Sequence, residues 1–75
     1  MNGRRRAKLR EVRVKLGEVR DELDLLRGEE DESRENMPES LQYSERYEVS
    51  EDSSRAMENA VSYINDAIVS IDEAI

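Results

Sequence analysis

Asn36-Met37-Pro38-Glu39-Ser40-Leu41-Gln42-Tyr43 decides how this 75-residue chain folds. It holds the only proline and lies near the middle, between two long charged segments. Proline has no amide donor and disfavours helical geometry in the residue before it, so a continuous helix breaks here. The stretch reads as the corner of a hairpin.

On the N-terminal side the apolar residues step by three and four: Leu9, Val12, Leu16, Val19, Leu23, Leu26. That is a heptad seam, with Leu at every a position and Val, Val, Leu at d. The frame continues more weakly through Glu30 and Ser33 to Met37. On the C-terminal side, Ser44 before Glu45, Tyr47 and Glu48 is a helix start, because a serine hydroxyl can accept from the first free amides. The second seam runs Tyr47, Ser50, Ser54, Met57, Val61, Ile64, Ile68, Ile71, Ile75. Beside it, Ser53, Ala60, Ala67 and Ala74 recur every seventh position.

The expected fold is all-α: an antiparallel two-helix coiled-coil hairpin able to dimerise into a four-helix bundle. It forms a single domain over 1–75, with a helix at about 5–36, a turn at about 37–43 and a helix at about 44–75. Pairing residues whose numbers add to 80 puts a against d in every layer, from Leu9–Ile71 to Met37–Tyr43. The e flanks then match Arg6–Asp72, Arg13–Asn65, Arg20–Glu58 and Arg27–Glu51, with no like pair. The predicted register therefore folds about Ser40.

Composition narrows the function. Charged residues make up 41% and aromatic residues 4%, with neither Cys nor His. Thiol or imidazole catalysis, disulfides and zinc sites are thereby excluded. Ser, Tyr, Lys and carboxylates remain, but no pattern pairs a nucleophile with a base. The chain reads as non-enzymatic, with no cofactor and no metal. Glu29-Glu30-Asp31-Glu32 lacks the alternating oxygens and central glycine of a calcium loop and reads as a solvated helix face. No apolar run approaches about 18 residues, and no apolar signal core follows the basic start, so a cytoplasmic protein without a membrane span is expected.

The net charge of −7 is unevenly spread: residues 1–20 carry +6 and residues 21–75 carry −13. Arg4, Arg5, Arg6, Lys8 and Arg10 are candidate nucleic-acid contacts. Neutralisation of acids within the same molecule is the preferred reading of this arm. The acidic part, from Asp21 through Asp52, offers a further alternative as a mimic of a phosphate backbone. A lone hairpin buries one face of each helix, so a second surface is expected to be covered by another copy or another protein. Ala56, Ala60, Tyr63, Ala67 and Ala74 are the candidate interface, with small side chains that permit close helix approach.

The stretch from Asn36 through Ser44-Glu45-Arg46-Tyr47 resembles short uncharacterised proteins of bacteriophages and mobile elements of Gram-positive bacteria. In these, an Asn-apolar-Pro-Glu-x-Leu-Gln-x-Ser-Glu-Arg stretch precedes an Ala/Ile-rich helix, like Ala60 to Ile75 here. The resemblance covers the chain from Asn36 onward. It implies a phage or mobile-element setting, with an accessory role such as inhibiting a host or defence protein.

Overall fold

The computed structural model describes residues 1–75. It contains α1 (Gly3–Glu35), a 3-10 turn at Glu39–Leu41 and α2 (Glu45–Ala74), with no strand. The helices pack antiparallel as a hairpin rod of 60 × 14 × 11 Å. Each start is capped by the side chain before it. Asn2 Oδ1 accepts from the Arg5 amide at 2.9 Å, and Ser44 Oγ accepts from the Tyr47 amide at 3.3 Å. Such caps satisfy amides that have no partner within the helix. Pro38 sits in extended backbone just beyond α1, and the 3-10 turn then reverses the chain.

The register differs from the expected one by a whole heptad. Arg13 meets Asp72, Arg20 meets Asn65 and Arg27 meets Glu58, where the sequence pairs these arginines with Asn65, Glu58 and Glu51. These contacts add to 85, against 78 for the predicted e-flank pairs. The same slip brings Leu16 level with Ile71, Leu23 with Ile64, Glu30 with Met57 and Met37 with Ser50. Part of the cause lies in the corner. Met37 precedes proline, which disfavours helical geometry there, and it lies in a bend beyond α1 instead of closing a helical layer against Tyr43. Tyr43 is 94% exposed and takes no part in the seam. The nine residues between the helices instead climb beside the first two turns of α2, leaving Met37 and Gln42 half-buried.

The slip leaves the two ends unequal. Val12 comes level with Ile75, so Gly3–Glu11 project about 13 Å past the end of α2. The contact face of α1 is also rotated. Its a positions Leu16, Leu23, Glu30 and Met37 are half-buried together with the e arginines Arg20, Arg27 and Arg34. Its d positions Val12, Val19 and Leu26 are 44%, 47% and 47% exposed. The long methylene stems of arginine cover apolar surface while the guanidinium reaches solvent or a partner, and they take the place expected for d. On α2 the face is the expected one, and Ile68, Ser50 and Ser54 are its buried residues.

Candidate interaction surface

Three regions carry chemistry: a polar clasp near the corner, an arginine ladder along one flank, and an open apolar flank opposite it.

The clasp is built around Arg34. Its Nη1 donates to the Ser54 hydroxyl at 2.8 Å, the Ser50 carbonyl at 3.1 Å and the Ser50 hydroxyl at 3.2 Å. Its Nη2 donates to Asp31 at 2.8 Å, and its guanidinium carbon lies 6.0 Å from the centre of the Tyr47 ring. Serine at two successive seam positions opens the space a guanidinium needs, and the guanidinium satisfies both hydroxyls. No buried side-chain nitrogen or oxygen is left without a partner. The Ser54 hydroxyl, then the Arg34 guanidinium, hold the Asp31 carboxyl below the usual carboxylate range. Asp31 also accepts from Arg27 Nη1 at 2.8 Å, which joins the clasp to the ladder.

The ladder closes the e flank. Arg13 forms a two-pronged pair with Asp72, through Nε to Oδ1 and through Nη2 to Oδ2 at 3.1 Å. That hydrogen bond and the guanidinium charge lower the Asp72 carboxyl, and the same bond with the carboxylate charge raises Arg13. Arg20 Nη1 donates to Asn65 at 3.0 Å, and Arg27 bonds Asp24 at 3.0 Å while reaching Glu58 at 3.8 Å. Hydrogen bonding to Asp24 is the main influence raising Arg27.

On the opposite flank no hydrogen bond or ion pair crosses between the helices. The d residues Val12, Val19 and Leu26 of α1 lie there beside the α2 row Ala60, Ala67 and Ala74, since e faces e and g faces g in an antiparallel pair. Of the expected interface residues, Ala60 is half-buried at the edge of the helix contact. Ala56, Ala67 and Ala74 are exposed, and Tyr63 is 70% exposed. Val12, Val19 and Leu26 belong to this flank, although their heptad letters alone place them in the core. Their signal was the arginine at every e position from Arg6 to Arg34, whose stems compete for the same face.

The basic arm does not neutralise the rest of the molecule as expected. Lys8 lies 3.7 Å from its neighbour Glu11, and Arg6 does not meet Asp72, which Arg13 occupies. Arg4, Arg5, Arg6 and Arg10 are exposed and form no ion pair. The slip carries them beyond the reach of α2. No helix is long and apolar enough to cross a membrane, and no group of three or more acidic side chains converges as a metal site. Comparison with protein-family models, curated proteins and solved structures gives no match.

Proposed function

We propose that the chain is a non-enzymatic helical interaction module that binds protein through its open flank. The observation that carries this reading is the exposure of Val12, Val19 and Leu26 at 44–47%, at heptad positions that ordinarily seal a helix contact. Aligned apolar side chains beside a row of small ones offer a second helix a surface to cover. The resemblance of the corner and α2 to phage and mobile-element proteins supports an accessory role, such as occupying a host or defence protein.

A photo-crosslinking side chain at Val19 or Ala67 should give covalent protein adducts under native conditions. The same group at Val69, 58% exposed on the opposite side, should give few. Equal labelling from both sides would overturn the reading. A second reading rests on the unpaired arginines of the projecting arm: nucleic-acid binding through Arg4, Arg5, Arg6, Lys8 and Arg10. Phosphate binding releases counterions, so affinity for duplex DNA should fall steeply with salt and weaken further in Arg5→Ala. Absence of salt-dependent binding removes that reading.

A further inference from the structure

We infer that the occupant of the open flank is a second copy of this chain, docked with α1 antiparallel to α1 about a two-fold axis through Val19. This rests on the protein-binding reading and names its partner.

The argument begins with the charge order along α1. Residues 4–20 carry eight basic and two acidic side chains, whereas residues 21–35 carry eight acidic and two basic ones. A helix with +6 on one half and −6 on the other complements itself when turned end for end. A parallel copy would set like charge on like. The open flank narrows this to particular residues. Its d positions match about Val19, with Val12 against Leu26 of the second copy and Val19 against itself. Beside them, Lys15 then faces Glu22 and Lys8 faces Glu29, each pair occurring twice. Lys15, Glu22 and Glu29 form no ion pair within the chain, so these charges are free to meet a partner.

The slipped register makes one axis serve both helices. Val19 is level with Ile68, one residue from Ala67, the middle of the Ala60, Ala67, Ala74 row. Ile68 is the one buried apolar residue of the hairpin, which leaves the monomer a thin core that a second layer would thicken.

Sedimentation equilibrium on charge variants tests the arrangement without disturbing the hairpin, because Lys15 and Glu22 are exposed. Wild type should show a monomer–dimer equilibrium. Lys15→Glu and Glu22→Lys should each dimerise about tenfold more weakly, as two attractive pairs become repulsive. Mixing these two variants should give a heterodimer, since each then supplies the charge the other lacks. Val19→Cys should form a symmetric disulfide under mild oxidation. Wild type that stays monomeric at its highest soluble concentration overturns the inference, as does a mixture that forms no heterodimer. Photo-adducts from Val19 to a different protein, with wild type monomeric, would overturn the second copy and keep the protein-binding reading. Absence of any adduct would remove both.

Discussion

The two ends of this hairpin are held by different forces. Toward the termini, Leu16, Leu23, Val61, Ile64, Ile68 and Ile71 make aliphatic layers. Toward the corner, Arg34, Asp31, Ser50, Ser54 and Tyr47 make a hydrogen-bonded clasp. The aliphatic end supplies most of the burial, but its pattern repeats every seven residues and tolerates a slip of one heptad. The clasp does not repeat. Burial without direction holds helices together, whereas one directional cluster chooses between otherwise similar registers.

That division can be broken from either side, and the aliphatic side should break harder. Ile68→Ala removes the buried centre and should cost about 2–5 kcal/mol in thermal or urea unfolding. The register should survive in whatever fraction remains folded. Arg34→Ala should cost about 1–3 kcal/mol, because the Ser50 and Ser54 hydroxyls lose their donor. Its more telling effect is on alignment: paired spin-label distances should broaden to include the neighbouring heptad. An Arg34→Ala protein with one sharp distance would show that the corner alone sets the register.

Acid sharpens the same contrast. Asp31 and Asp72 are both held below the ordinary carboxylate range. A carboxyl lowered in the folded state adds stability above its unfolded value, near pH 4, and that stability is lost as pH falls through the folded value. Melting temperature should therefore drop below about pH 4, and Asp31→Asn should flatten part of that drop. The smallest effect belongs to the ladder. Arg13→Ala removes an exposed pair and should cost less than about 1 kcal/mol, with the difference shrinking in high salt.

Much of the architecture was legible in the sequence, for stated reasons. Pro38 marked the corner, Ser44 marked the start of α2, and three–four spacing marked the α2 face from Tyr47 to Ile75. The register was not legible. Every e position of α1 from Arg6 to Arg34 is arginine, so a one-heptad slip offers Glu51, Glu58, Asn65 and Asp72 the same chemistry. The apolar seam is equally indifferent, and two signals with one period are not independent. What separates the registers is Arg34 between Ser50 and Ser54, with the path of the chain from Asn36 to Ser44. The three–four spacing places Ser50 and Ser54 in the seam but does not show the guanidinium that fills the space they leave. The Ala row was visible, but its companions Val12, Val19 and Leu26 were not, because heptad letters do not reveal that arginine stems rotate the contact face.

Intramolecular disulfide formation tests the register most directly. Leu16→Cys with Ile71→Cys should oxidise readily within one chain, because the slipped register sets the two positions level. Leu16→Cys with Ile64→Cys should resist closure, since those positions lie about two turns apart along the rod. Ready closure of the second pair with failure of the first would contradict the register, and with it the projecting basic arm and the shared centre of Val19 and Ala67.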